Sequence, residues 1–224
     1  WERWSNPFNP AARYTFAEIT SFPAEKVVAL GEPFQILCTI APDSFWLPQE
    51  ATLTAADGTE HIATLNGHSY LFEMQGEIEE ASYAFSVGDA SSQIQVTPLA
   101  RPSLNKTLAH VEYPSYLGYP QNNIEITSRT ITAPIGSLVS IQGFANRPLN
   151  QVMTIGGSSQ GPSVKAKVDG NQFHLQLGQI KGNRNHRLVW RDSLGLACKG
   201  VFQFEVIAKT DEPPTIEFPE IPTE

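Results

Sequence analysis

The side chains in this sequence that could bind a metal or move a proton are few and scattered. Its five histidines, His61, His68, His110, His174 and His186, show no His-x-x-x-His or similar ligand spacing, so no metal site is expected from them. Cys38 and Cys198 are the only cysteines, which excludes a disulfide framework and any cysteine-rich metal site. They read as two independent reduced thiols; the alternative, a bridge between them, needs their Cα atoms within about 7 Å. No Gly-x-Ser-x-Gly elbow, phosphate loop or dinucleotide fingerprint occurs, and Ile155-Gly156-Gly157-Ser158-Ser159 reads as a flexible turn. With no visible nucleophile and base, the expectation is a protein that is not an enzyme and uses no cofactor.

Two groupings could instead bind. Lys181, Arg184, His186, Arg187 and Arg191 fall close together and could hold an acidic polymer, a phospholipid headgroup or an acidic neighbouring domain. The plainer reading is a solvated face. Tyr113, Tyr116 and Tyr119 could stack on a sugar ring, although Pro114 and Pro120 favour rings packed across an irregular edge. Charge is distributed in blocks: residues 1–102 hold 4 Lys/Arg and 13 Asp/Glu, residues 103–210 hold 11 and 5, and residues 211–224 hold 0 and 5. The net charge of −8 argues against nucleic acid as a partner. The alternating signs suit neighbouring modules that meet one another, or are chance.

The elements that must position these residues come in two copies. Gly67 to Met74 aligns with Gly170 to Leu177, and the same offset carries Phe85 onto Leu188, Val87 onto Trp190 and Asp89 onto Asp192. Upstream, Gly31, Phe34 and Ile36 align with Gly136, Val139 and Ile141. Apolar residues alternate within each copy, which is the period of a half-buried strand. The first copy reads as strands near Tyr14 to Ile19, Phe34 to Ile40, Ala51 to Ala55, His61 to Leu65, Ser69 to Met74, Ser82 to Val87 and Gln93 to Val96. The second reads as Leu108 to Glu112, Leu138 to Phe144, Gln151 to Ile155, Val164 to Val168, Gln172 to Leu177, His186 to Arg191 and Val201 to Ile207. Asp57-Gly58 is a two-residue hairpin signal. Asp89 and Asp192 are expected to cap the turn that follows each copy's sixth strand, one device used twice. The 17 prolines, 16 glycines and 17% charged content fit short strands joined by turns, with no helix of three turns.

Seven short strands in each half of about 100 residues are the pattern of an immunoglobulin-like sandwich. Tyr83, in Ala81-Ser82-Tyr83-Ala84-Phe85, resembles the tyrosine corner of that superfamily, with Phe85 where antibody-type domains carry their second cysteine. Cys38 thus lacks the usual intersheet partner. Arg101-Pro102, Tyr113-Pro114-Ser115-Tyr116-Leu117, Gly136-Ser137, Trp190-Arg191-Asp192-Ser193-Leu194-Gly195-Leu196 and Asp211-Glu212-Pro213-Pro214 are similar to the domain signature of large bacterial envelope proteins with repeated extracytoplasmic Ig-like domains. That resemblance implies a periplasmic or cell-surface location and brings no catalytic or binding residues. Thr210 to Pro214 is also similar to the calcium-holding linkers of cadherins; the accompanying acidic motifs are missing, and it reads as a plain acidic linker.

The expected architecture is therefore all-β, two tandem immunoglobulin-like β-sandwich domains. Residues 1–12 form a linker whose Trp1, Trp4 and Phe8 dock on the first domain, residues 13–98 and 103–209 are the domains, and residues 210–224 are an acidic Pro-rich linker with the start of a further domain at Thr215 to Phe218. No apolar run reaches the roughly 18 residues that span a membrane, so any anchor is expected outside the sequence, which reads as an excised piece. The expected function is a structural or interaction module whose partners are neighbouring domains and other envelope proteins. The competing expectation is a carbohydrate-binding accessory module of a secreted enzyme.

Overall fold

The computed structural model describes residues 16–156 and 163–210. The expectations for Trp1, Trp4, Phe8, Tyr14, Gly157 to Ser159, Asp211 to Pro214 and Thr215 to Phe218 lie outside the described residues. The chain divides between Ala100 and Arg101 into two compact units.

In unit 1 the strands are β1 (Ile19–Ser21), β2 (Glu25–Ala29), β3 (Phe34–Ile40), β4 (Glu50–Ala55), β5 (Glu60–Asn66), β6 (Ser69–Met74), β7 (Ala81–Val87) and β8 (Ala90–Leu99). β1, β3 and β6 form one layer and β4, β7, β8 and β2 the other. β5 belongs to both: Glu60 to Thr64 pair with β4, and Leu65 and Asn66 pair with β6. Only β2 runs parallel to its neighbour, β8. Pro23 stands between β1 and β2; with no N–H to donate, it ends pairing in the first layer and lets the chain cross to the second.

Unit 2 repeats this order as β9 (Leu104–Glu112), β11 (Thr130–Pro134), β12 (Leu138–Ala145), β13 (Leu149–Gly156), β14 (Val164–Lys165), β15 (Lys167–Asp169), β16 (Gln172–Gln179), β17 (Arg184–Asp192) and β18 (Phe202–Lys209). One layer is β9, β12, β16 and β15; the other is β11, β18, β17, β13 and β14, with β11 parallel to β18. Between β9 and β11 the chain makes an excursion: a single 3-10 turn at Ser115–Leu117 and the short strand β10 (Asn122–Glu125), which pairs on the outside of β9. Each unit is thus a two-layer, disulfide-free immunoglobulin-like sandwich, and both thiols are free.

Alternation explains the cores. In β3, Ile36, Cys38 and Ile40 are fully buried while Gln35 and Leu37 face out; in β12, Val139 and Ile141 take the inward places. Phe72 and Phe85 meet edge to face at 5.9 Å in unit 1, and Phe22 stacks on Phe85 at 4.5 Å. Each such ring contributes on the order of 2–3 kcal/mol of burial. The aligned glycines Gly31 and Gly136 donate their N–H groups to Glu77 and Ile180 carbonyls at 2.7 and 2.9 Å, so one turn contact recurs in both units.

Four expectations are corrected. Strands β2, β10 and β11 were not foreseen: all three are short edge strands, β2 and β10 do not alternate, and β11 ends in Pro134. Val164 to Val168 is not one strand: Ala166 breaks it, and its halves join different layers. The Asp57-Gly58 hairpin is a three-residue loop, Ala56 to Gly58, because only Gly58 adopts positive φ (87°) while a two-residue I′ turn would require Asp57 to do so as well. Tyr83 is buried at the start of β7, but its hydroxyl donates to the Glu77 carboxylate rather than to a backbone carbonyl, a departure from the usual tyrosine corner.

Candidate binding surface

The basic residues of unit 2 are positioned by strand geometry. In β17, His186, Leu188, Trp190 and Asp192 turn inward, so Arg187 and Arg191 stand on the outer face with Val189 between them. Four residues of strand set them about 13 Å apart. Arg184 has the opposite parity at the strand's first position, and Lys181 lies in the preceding turn, so the structure strings the group along one strand instead of gathering it in one patch. Lys181, Arg184, Arg187 and Arg191 are exposed, and none forms an ion pair among the described residues.

Around Arg187 and Arg191 the structure adds cations that the sequence did not single out. A cleft of about 390 Å³ beside Arg191 is walled by Trp190, Cys198 and Lys199. Trp190 and Lys199 also wall a second cleft of about 470 Å³, which opens between β9 and the approach to β18 and contains Lys106 and Arg129. Arg129 in turn walls a third, of about 460 Å³, that contains Arg187, His186 and Gln203. Glu125 and Glu205 are the carboxylates on these walls. Trp190 is half-buried and held in place, its Nε1–H donating to the Pro102 carbonyl at 3.0 Å. Arg129 is the one non-glycine residue with positive φ (58°) among the described residues, and its carbonyl accepts from Glu205 N–H at 2.8 Å.

His186 occupies the place that Tyr83 holds in unit 1. Its ring stacks on Phe204 at 5.2 Å, its Nδ1 is buried without a partner, and burial followed by the nearby Arg184 charge lowers its pKa. Burial likewise pushes the Cys38 thiol up to about 12, so Cys38 behaves as an apolar core residue. His174 is exposed, as alternation requires. His110 bonds Asn123 at 2.7 Å and lies 3.6 Å from Glu112. Among the described residues no three His, Cys, Asp or Glu side chains come together as a metal site.

The tyrosines sit on the excursion between β9 and β11. Tyr113 packs against the unit 2 core and meets Tyr119 edge to face at 5.7 Å, while Tyr116 and Tyr119 are 68% and 62% exposed. A second aromatic group was not anticipated. Phe45 and Trp46, 84% and 50% exposed, lie in the β3–β4 loop, and Phe45 contacts Phe16 at 5.7 Å. The Trp46 ring rests on Gly88, where an added Cβ would come within 2.7 Å of it.

The expected shared role of Asp89 and Asp192 is also corrected. Asp192 does cap its own turn, accepting from Leu194 and Leu196 N–H at 3.1 and 2.7 Å, and it lies 3.4 Å from Arg147 Nε with its side chain fully buried. Asp89 instead reaches across to the entering chain, accepting from Phe16 and Ala17 N–H at 2.9 and 3.1 Å. In unit 2 the entering segment is held by other groups: Arg101 donates to the Ala197 carbonyl at 3.0 Å, and Ser103 and Asn146 exchange hydrogen bonds of 3.1 and 3.0 Å.

No protein-family model matches this chain, and no curated protein matches it. Among solved structures it is similar to the I9–I11 tandem of titin, with 8% identity, 87% of this chain and 66% of that one covered, and a TM-score of 0.39. It is also similar to the fibronectin(III)-like modules of Clostridium thermocellum CbhA, with 12% identity, 90% and 100% covered, and a TM-score of 0.46. The tandem Ig repeats of Dlar give 13% identity, 87% and 98% covered, and a TM-score of 0.34.

Proposed function

We propose that this chain is a non-catalytic structural and interaction module of a larger bacterial extracytoplasmic protein, presenting immunoglobulin-like domains for contacts with neighbouring domains and other envelope proteins. The observation that carries this reading is the shortness of the free joint. Strand β8 of unit 1 runs through Leu99, whose carbonyl accepts from Leu30 N–H at 2.9 Å, and the side chain of Arg101 is already tied to unit 2. One residue, Ala100, separates the two attachments, so little chain is left to act as a flexible tether. The location rests on the resemblance of the Trp190 to Leu196 and Arg101-Pro102 motifs to bacterial envelope proteins.

Insertion of Gly-Ser-Gly-Ser after Ala100 tests the spacer role. Backbone 15N relaxation of the native chain should report slower tumbling than two independent bodies of this size, and the insertion should release it. Independent tumbling of the native units would sink the reading. The exposed Tyr116 supports a second reading, a carbohydrate-binding accessory module; polysaccharide pull-down abolished by Tyr116→Ala would favour it.

A further inference from the structure

We propose that unit 2 binds an anionic polysaccharide along a tract of cations around the start of β18, with Arg129 at its centre. The site needs only the surface of unit 2 and stands apart from the spacer reading. Three adjoining clefts share walls: Trp190 and Lys199 belong to the first and second, Arg129 to the second and third. Five cations line the series, Arg191, Lys199, Lys106, Arg129 and Arg187, and none is in an ion pair among the described residues. The walls carry two carboxylates, Glu125 and Glu205, so the tract keeps a net positive charge on a chain that is acidic as a whole. Clustered like charge without partners raises the local concentration of opposite charge, and successive cations fit a ligand with charges repeated along its length better than a single ion.

Arg129 strengthens the argument because its backbone is unfavourable. Left-handed φ is the province of Gly, Asn and Asp; an arginine there costs about 1–2 kcal/mol. A glycine would make the same turn without that penalty, so the side chain is what the position retains, and the residue lines two clefts at once. Trp190 points to the class of polyanion. It is half-buried, fixed by its bond to Pro102, and lines two of the clefts beside their cations, and a fixed apolar ring next to positive charge suits the C–H face of a sugar that carries carboxylates.

The test titrates the full chain with a galacturonate hexamer at about 50 mM salt, following amide and indole signals by NMR, with maltohexaose as the uncharged control and an oligothymidylate of equal charge as the competing polymer. The expected result is binding of the uronate alone, with shifts at Lys106, Arg129, Lys199 and the Trp190 indole, weakened by added salt. Arg129→Gly should weaken binding about tenfold while leaving the thermal midpoint unchanged or raised, since strain is relieved. Should that variant fail to fold, the exposed pair Arg187→Gln and Arg191→Gln should weaken binding by a similar factor. No uronate binding, binding indifferent to these variants, or tighter binding of the oligothymidylate would each overturn the proposal.

Discussion

Where unit 1 sets Cys38 across from Tyr70, unit 2 sets Gly143 across from Phe173. The aligned residues occupy the same rungs of the same strand pair, yet the packing is solved in opposite ways. In unit 1 the thiol fills the space and the Tyr70 hydroxyl donates to the Pro48 carbonyl at 2.6 Å. In unit 2 the Phe173 ring folds down onto Gly143, so closely that a Cβ there would lie 2.2 Å from Cε1. The aspartates diverge similarly: Asp192 is spent inside its own turn with Arg147, and Asp89 holds the incoming chain. One strand order therefore tolerates different local solutions provided the inward volume is filled.

Substitutions can break this comparison, and the largest effect should come from the aspartates. Asp192→Ala strands Arg147 and two turn N–H groups, and should destabilise unit 2 by about 3–5 kcal/mol. Asp89→Ala should destabilise unit 1 less, by about 2–3 kcal/mol, because the carboxylate is only part-buried and the freed Phe16 N–H lies at the surface, while the Ala17 N–H is left buried without its acceptor. Amide exchange read unit by unit in denaturant separates the two; equal losses would mean the carboxylates are interchangeable after all. Next in size is Gly143→Ala, which forces Phe173 off its seat and should destabilise unit 2 by about 1–3 kcal/mol, a result that a mobile Phe173 would erase. Tyr70→Phe converts the unit 1 rung toward its counterpart and should lose about 1 kcal/mol, the net worth of the hydrogen bond to Pro48. Chemical denaturation of the variant checks it, and no change would show that the hydroxyl is satisfied elsewhere.

The sequence disclosed what alternation and repetition control. β3 and β6 match their expected bounds, Phe34 to Ile40 and Ser69 to Met74, because each buries every second residue. β2, β10 and β11 were illegible: Glu25–Ala29 does not alternate, β10 has four residues, and β11 ends in Pro134. Of the basic surface, Arg187 and Arg191 could be read because they are close in sequence. Lys106, Arg129 and Lys199 could not, since they meet only when β9, β11 and β18 converge. Nor does Ser128-Arg129-Thr130 carry the Gly, Asn or Asp that announces a left-handed turn. The two aspartates look alike in sequence and part company because their partners are set by the neighbouring segments, which local sequence does not encode.

The smallest expected effect contrasts Tyr83 with His186. At the start of β7, Tyr83 stays neutral at any ordinary pH, since burial raises its pKa further, and its hydroxyl is bonded to Glu77. At the aligned position of β17 stands the titratable His186, and burial, followed by the Arg184 charge, lowers its pKa below the unfolded value of about 6.5. The unfolded chain therefore binds the proton first as pH falls. Stability linked to His186 is fully present above about pH 6.5 and declines below it toward the folded pKa, where the loss levels off. The ring is part-exposed, so solvent screening keeps the loss small. Unit 2 should thus lose stability slightly more than unit 1 between about pH 7 and pH 5, and His186→Tyr should remove this part of the difference. A slope that survives the substitution would assign it to the carboxylates instead.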